Sequence, residues 1–504
     1  MYLSGIENRF GLNNLVNTGE IAFRSFEKAF TVPSCTKWQV SCKNNLQKKR
    51  DLLPAEYFNG VKLTFKGISK YVTLDRVAEK ANEVLKKATL TDEKGEFRGY
   101  MAIGSDETFS PDYKFLWTRD NMYALFYDLI KENSYKTEKY IENLAKVIDE
   151  DGLVPVSIEP ETGKKIKGAG DTIGYVHSVD STLLFLVMVS EAANKSKDPA
   201  FFDRVKEPYI NALKLALENN RFDSSPLISS VECAGLVDRP LGMHGYVAGN
   251  QVLFYAALDR ASKMEGKIPA ELAHKAKTRA DELKKLIHEY FWVDSKKLGQ
   301  LEINIEKSAR RDKESECHEI NPFNLKKLPY HNIGNLMNGG YFLACARTGY
   351  LDFRFDTITN LMAIAFGLTD KEQADLILNY IENNGINKPL PVKYMWPAMP
   401  DDEIERLTPG DTFLAENRSV NGGIWPFVGA LYSSILTKSA QRAKAEEVLN
   451  KIARVIEKDM PEWLEGTTGE FIPELSNKNQ TWTAACYLLA FELLKSPERP
   501  FLNL

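Results

Sequence analysis

From Leu74 onward, apolar residues recur at three- and four-residue steps, the spacing of one helix face. About a dozen segments carry this pattern, from LDRVAEKANEVLKKA near the start to TWTAACYLLAFELL near the end. They come in two kinds. Segments such as ELAHKAKTRADELKKLIHEYF are charge-laced and amphipathic, whereas STLLFLVMVS and TWTAACYLLAFELL are apolar nearly all round. A helix apolar on every side has to be buried on every side. Alternation of the two kinds predicts an inner ring of helices enclosed by an outer ring. The expected fold is therefore all-α, an (α/α)6 barrel over residues 71–504. No fixed repeat of roughly 30–45 residues is visible, which argues against a solenoid. Residues 1–70 read differently, with weak periodicity, polar clusters and VKLTFKGISKYVTL, which alternates like a short strand pair. They are expected to form a partly irregular extension packed on the barrel.

The connections also alternate. Three are long and rich in Gly, Pro, aromatic and polar residues: Pro155–Val179, Arg221–Gln251 and Leu390–Trp425. Long structured loops in a compact domain tend to carry function. In a helical barrel they would gather at one mouth.

Composition changes this picture little. The formal net charge is -4 and the sequence pI about 6.0, with none of the basic excess that a phosphate-backbone binder needs. No nucleic-acid partner is expected. Aromatics make up 11% of the 504 residues, many beside Gly, Pro and Asn, which suits either a sugar-stacking cleft or the filling of a large core. The cysteines Cys35, Cys42, Cys233, Cys317, Cys345 and Cys486 form no CxxC pair, so free thiols in a reducing compartment are expected. MYLSGIENRFGLNNL lacks a basic start followed by an apolar run, and the apolar stretch Leu183–Val189 is too short to span a bilayer. The expected location is cytoplasmic, with no membrane partner.

Nucleotide-binding, zinc-protease and nucleophilic-serine motifs are missing. His177, His244, His274, His288, His318 and His331 are isolated, and nothing has metal-ligand spacing. Neither metal nor cofactor is expected, which leaves acid/base chemistry by carboxylates. Asp180 stands directly before an apolar helix in SVDSTLLFLVM, as an N-cap or as a buried acid. Asp120 follows Arg119 in FLWTRDNMYALF, a pair that suits a clamp on sugar hydroxyls or a structural ion pair. Glu462 lies in MPEWLEGTTGEF before a Gly-rich turn, the usual place of a solvated acid. Trp396 in YMWPAMP and Trp425 in NGGIWPF stand on turns suited to sugar stacking or to packing under a loop.

Taken in order, several stretches resemble the neutral/alkaline invertase family, glycoside hydrolase family 100. These are LALENNRFDSSPLISSVECAGLVDRPLGMHGYVAGNQVLFYAAL, NPFN, GGYFLACARTGYLDFRFDTITNLMAI, KYMWPAMP, NGGIWPF, MPEWLEGTTGEF and NQTWTAACYLLA. They cover most of the chain from about residue 110. The resemblance implies an (α/α)6 barrel, no metal and an inverting mechanism. Residue by residue it implies a general acid at Asp180 and a catalytic base at Glu462. Glu465, where the family pattern has Asp, ranks second as base. Arg119 and Asp120 match the family's Arg-Asp pair, and His244, Gln251, Asn421, Trp425, Gln480 and Trp482 fall in motifs that line or support the site.

The departures lie where substrate is expected. Tyr175 stands where the pattern has Arg, Gly249 where it has Glu, and Val420 where it has His. They put sucrose specificity in doubt and leave other small glucosides open, of the trehalose, glucosylglycerate or oligosaccharide type. An epimerase acting through His177 and His244 and a carbohydrate-binding protein without turnover are the remaining alternatives. The expected partner is a small carbohydrate, and self-association stays open. For an inverting hydrolase, Asp180 would hold its proton because an apolar helix desolvates it, and Glu462 on an open loop would stay ionised.

Overall fold

The computed structural model describes residues 73–104, 108, 110–131, 134–166, 179–218, 225–293, 339–347 and 350–504. The expected extension, residues 1–70, and its strand pair lie outside these residues, as do Tyr175 and His177. The described helices are α1 (Leu74–Ala88), α2 (Thr118–Ile130), α3 (Ser134–Ala145), α4 (Val179–Lys195), α5 (Phe201–Glu218), α6 (Ala248–Ser262) and α7 (Ala270–Tyr290). They continue as α8 (Thr357–Ala365), α9 (Lys371–Asn383), α10 (Asp401–Leu407), α11 (Pro426–Lys438), α12 (Arg442–Ile456) and α13 (Thr481–Lys495). Among them no helix is long and apolar enough to cross a membrane.

Burial sorts the helices as the hydrophobic pattern predicts. Every residue of α2 and of α8 is buried, and α4 is buried without interruption from Asp180 to Ser190. The ring α2–α4–α6–α8–α11–α13 closes, each inner helix packing on the next and α13 returning to α2. The outer helices α1, α3, α5, α7, α9 and α12 bury one face each. Helix α1, for example, turns Val77, Ala78, Ala81, Val84, Leu85 and Ala88 inward. This is the (α/α)6 barrel.

Side-chain caps start two of the outer helices, while the outer α7 and α12 have none. Thr73 caps α1 by accepting the Arg76 N–H, and Asp370 and Gln373 form a capping box on α9. Among the inner helices, α2, α6, α11 and α13 have no side-chain N-cap bond. Enclosure holds these in place.

Short strands lie between the helices and lead into the inner ring. Strands β1 (Thr89–Thr91) and β2 (Phe97–Tyr100) pair after α1. Strand β3 (Leu116–Trp117) runs into α2 and pairs with β4 (Ser157–Ile158), which pairs with β5 (Lys165–Ile166). A larger antiparallel sheet contains β6 (Tyr246–Val247), β7 (Trp292–Val293), β8 (Tyr341–Arg347), β9 (Tyr350–Asp356) and β10 (Met395–Trp396). Its order is β10-β9-β8-β6, with β7 on β8. Strand β6 delivers α6 and β9 delivers α8, whose first turn is held by Asp356 accepting from Thr359. The sheet and α10 are additions to the all-helical expectation.

Among the described residues, two cavities inside the ring stand out. One, of about 280 Å³, is lined by first-turn residues of α2, α8, α11 and α13 together with loop residues. The other, of about 310 Å³, is apolar and lined by later turns, including Phe126, Leu361, Ala365 and Ile435, with Phe501 and Leu502. Tyr123 borders both. The inner helices thus point their N-terminal ends at one mouth. Their aligned peptide dipoles make that mouth electropositive, about half a charge per helix end, which favours carboxylates there.

Candidate active site

The mouth cavity is lined by Arg119, Tyr123, Leu236, Asp238, Ile358, Tyr394, Val420, Trp425, Phe427 and Trp482. Arg119 and Asp120 sit in the first turn of α2, Asp180 in that of α4, and Trp482 in that of α13. Leu236 and Asp238 come from the long loop before α6, and Val420 and Trp425 from the one before α11. Two of the three long loops therefore meet at the same cavity.

Arg119 is the hub of the polar edge. Its Nη1 donates to Asp180 Oδ2 at 3.0 Å and to the Gly235 carbonyl at 3.0 Å, and its Nη2 donates to Asp238. Asp180 is fully buried. The expectation that an apolar helix surrounds its carboxyl is corrected, because a guanidinium that is always charged sits against it. Asp120 is buried beside the same arginine but does not form its ion pair. Burial pushes its carboxyl up to about 7, with Arg119 pulling the other way. Burial also opposes ionisation of Asp238, but Arg119 and Arg239 overcome it and hold that carboxyl below the usual range.

Glu462 overturns a second expectation. Its Gly-rich loop reads as solvent-exposed, yet the residue is 5% exposed. Tertiary pairing buries the loop. The Glu462 N–H donates to the Asn477 carbonyl at 2.9 Å, Trp463 is fully buried, and Leu464 exchanges two backbone bonds with Ile424 at 2.8 Å each. The carboxylate accepts the Tyr113 hydroxyl at 3.2 and 3.0 Å to its two oxygens. Burial pushes Glu462 up to about 8, while the Tyr113 hydrogen bond and Arg239 pull it down. Glu465 is occupied by its own turn, accepting the Thr467 and Thr468 N–H groups and the Thr468 hydroxyl.

The remaining candidates divide into wall and support. Trp482 stacks on Phe427, centroids 4.6 Å apart and planes at 14°. Its buried Nε1–H and the buried Gln480 Oε1 beside it have no hydrogen-bond partner among the described residues. Trp425 spends its Nε1–H on the Ser419 carbonyl at 2.8 Å and presents its ring to the cavity. Gln251 and Asn421 are loop clamps. Gln251 accepts from Ile228 N–H and donates to the Ile228 and Val247 carbonyls, while Asn421 accepts from Met399 N–H and donates to the Met399 and Leu414 carbonyls. Trp396 is half-buried in β10, edge-on to Tyr380, and His244 is exposed ahead of β6. Neither lines the cavity.

Asp238, Tyr113 and Arg239 were missed by sequence reasoning. Asp238 and Arg239 stand in the long loop Arg221–Gln251, so an acid inside a loop already marked as functional was the available signal. Tyr113 sits in a short 3-10 turn, Pro111–Lys114, and carried none. Among the described residues no group of three or more His, Cys, Asp or Glu could hold a metal ion.

Fold and mouth together define an (α/α)6 barrel with buried carboxylates around an aromatic cavity. The chain belongs to the alkaline and neutral invertase family, whose model matches residues 81–497. It is 29% identical over 363 residues to the mitochondrial alkaline/neutral invertase C of Arabidopsis thaliana, covering 69% of this chain and 52% of that one. It is 30% identical over 353 residues to the mitochondrial neutral/alkaline invertase 1 of Oryza sativa subsp. japonica, covering 68% and 54%. The chain thus spans about half the length of these relatives. Similar solved structures include a glycosidase variant in complex with glucose, with a TM-score of 0.55 and 13% identity over 84% of this chain and 98% of that one. A bacterial glucoamylase complexed with acarbose has a TM-score of 0.52 at 14% identity, over 84% and 56%. At such identities these two speak to the fold alone.

Proposed function

We propose that the protein hydrolyses a small glycoside with inversion, Asp180 acting as general acid and Glu462 as general base. One observation carries the reading. Two buried carboxylates far apart in sequence lie beside one polar cluster at the mouth. Asp180 accepts from Arg119, which lines the aromatic cavity, and Glu462 accepts the Tyr113 hydroxyl within electrostatic reach of Arg239 and of Asp238, the acid that Arg119 also bonds. Inversion needs the two carboxyl groups about 6.5–9.5 Å apart, so that a water fits between base and anomeric carbon.

In this reading Asp180, oriented by the Arg119 Nη1 bond, gives a proton to the departing oxygen, and Arg119 is held in place from its other side by Asp238. Glu462, helped by the Tyr113 hydroxyl and Arg239, loses its proton at neutral to alkaline pH and then activates water. Trp482 and Trp425 supply ring surface to the sugar. The names of the relatives make sucrose the first substrate to test, followed by other small α-glucosides.

A second reading exchanges the roles, since a buried carboxyl titrating near 8, as Glu462 does, suits an acid. Variants Asp180→Asn and Glu462→Gln separate the two. Loss of the acid removes on the order of 10²–10⁴ in rate with a sugar or alkyl leaving group, and a phenol leaving group of low pKa restores most of it. Loss of the base is rescued by azide, which needs no deprotonation. The proposal expects leaving-group rescue for Asp180→Asn and azide rescue for Glu462→Gln. The reverse pattern exchanges the roles, and near-normal turnover in either variant retires that residue.

A further inference from the structure

Two groups favour the ionised form of Glu462, and they are held in different ways. Tyr113 reaches the carboxylate directly, at 3.2 and 3.0 Å. Arg239 acts on it through its charge. The Arg239 side chain is exposed, and no hydrogen bond or ion pair with a described residue locates its guanidinium. A long side chain in that position spreads its charge over many rotamers unless something else orders it. What meets it is a ring. The guanidinium carbon lies 4.7 Å from the ring centroid of Phe413, within the range at which an aromatic face attracts a cation.

Phe413 is itself held on two sides. It is half-buried in the connection between α10 and α11. Asp411 Oδ1 accepts the N–H of Phe413 at 2.9 Å and that of Leu414 at 3.2 Å, which closes the turn. Leu414 is fully buried, and its carbonyl accepts from the Asn421 amide at 2.9 Å. The Phe413 ring also meets the Trp463 ring at 5.5 Å, with planes at 83°. Trp463 follows Glu462 directly, and its N–H and carbonyl are both bonded to Ser476 Oγ, at 3.0 and 2.8 Å. One ring therefore touches both the cation and the segment that carries the carboxylate.

Position matters because several groups compete for this charge. Asp238, Tyr113, Glu462 and Asp411 face Arg239, while Tyr113, Arg239, Asp120 and Asp238 face Glu462. A guanidinium free to swing toward Asp238 or Asp411 would leave Glu462 with less of its field. We propose that Phe413 is a positioning residue for Glu462: its ring seats the Arg239 guanidinium beside the carboxylate and ties that seat to the carboxylate's own loop through Trp463. Its role in turnover rests on the reading of Glu462 as an acid/base group.

The test therefore has one readout that needs no turnover. Carbon-13 NMR follows the Glu462 carboxyl in the full chain labelled at glutamate Cδ, with the resonance identified by its loss in Glu462→Gln. A pH series of kcat/KM, on the glycoside that the wild type turns over best, follows the same group in catalysis. Arg239 favours the ionised carboxylate, so displacing it moves the midpoint up. An opposite charge beside a carboxyl lowers its pKa by about 1–3, and Arg239→Gln should return a rise of that order. Phe413→Leu keeps apolar bulk without the ring face and should return part of it, about half a pH unit or more. Phe413→Tyr keeps the ring and should stay at the wild-type midpoint. In the Arg239→Gln background, Phe413→Leu should move the midpoint no further. A midpoint that stays or falls in Phe413→Leu overturns the seat, as does an equal rise in Phe413→Tyr or an undiminished rise in the Arg239→Gln background. Should Phe413→Leu fail to fold, an unmoved midpoint in Arg239→Gln overturns it too. The expected NMR shifts without hydrolysis of any glycoside uphold the seat and overturn the hydrolase reading. Hydrolysis with an unmoved midpoint does the reverse.

Discussion

Replacing Tyr113 by Phe removes one hydroxyl and nothing else from the surroundings of Glu462. That hydroxyl donates to both carboxylate oxygens, at 3.2 and 3.0 Å, in a place where burial has already pushed the carboxyl up to about 8. A hydrogen bond to a charged group contributes about 1.5–3 kcal/mol. Each 1.36 kcal/mol of differential stabilisation moves a pKa by one, so the loss corresponds to about one to two pH units. The sign follows from what Tyr113 stabilises. It favours the ionised carboxylate, so its removal lets Glu462 keep its proton to higher pH. If Glu462 is the base, the acidic limb of the kcat/KM profile moves up by that amount, and the rate on the alkaline side falls far less than the rate at pH 7. The assay is a pH series on wild type and Tyr113→Phe, with melting curves to establish that both are folded. An acidic limb that stays in place or moves down refutes the reasoning. An alkaline limb that moves up in its stead makes Glu462 the acid.

Other outcomes follow from the same geometry. Glu462 titrates near 8 in the folded chain against 4.5 for an unperturbed carboxyl, so the stability it contributes is complete below about 4.5 and lost as pH rises through 8. Glu462→Gln escapes that loss, and urea unfolding should show it gaining about 2–5 kcal/mol on wild type between pH 4 and pH 9. An equal difference at the two pH values contradicts this. Arg119→Gln leaves Asp180 and Asp238 without their shared cation, and a cost of about 3–5 kcal/mol in unfolding free energy is expected. A cost below about 1 kcal/mol would mean the hub is not structural. Asn421→Ala breaks three loop-clamping bonds at about 1 kcal/mol each, so stability drops by about 2–3 kcal/mol. Because the clamp ties together the loop that carries Val420 and Trp425 to the cavity, KM should rise more than kcat falls, and the opposite split counts against that role.

The helices were legible because their signal is local. A three- to four-residue apolar step marks α1, α7 or α12, and unbroken hydrophobicity marks α4 or α13 as enclosed. Inner and outer rings are that distinction made spatial. Helix α10 and the two-residue strands were not legible, since strands such as β6 and β10 exist only through partners far away in sequence. The environment of each carboxyl was hidden for the same reason. SVDSTLL does not reveal that an arginine from α2 will meet Asp180, nor does PEWLEGTTG reveal that Ile424 and Asn477 will close over Glu462. The family resemblance pointed to Asp180, Glu462, Arg119, Trp425 and Trp482. It did not say which amides would be clamps, and it passed over Asp238, whose importance lies in its contact with Arg119.

The most direct test of the account is a crystal structure of Glu462→Gln holding the uncleaved glycoside that the wild-type protein turns over best. The account predicts the glycosidic oxygen within hydrogen-bond reach of Asp180 and a water against residue 462 on the opposite face of the ring, with the two side-chain carboxyl carbons about 6.5–9.5 Å apart. A sugar whose anomeric carbon lies outside the gap between these two residues, or a gap too narrow for that water, would contradict it.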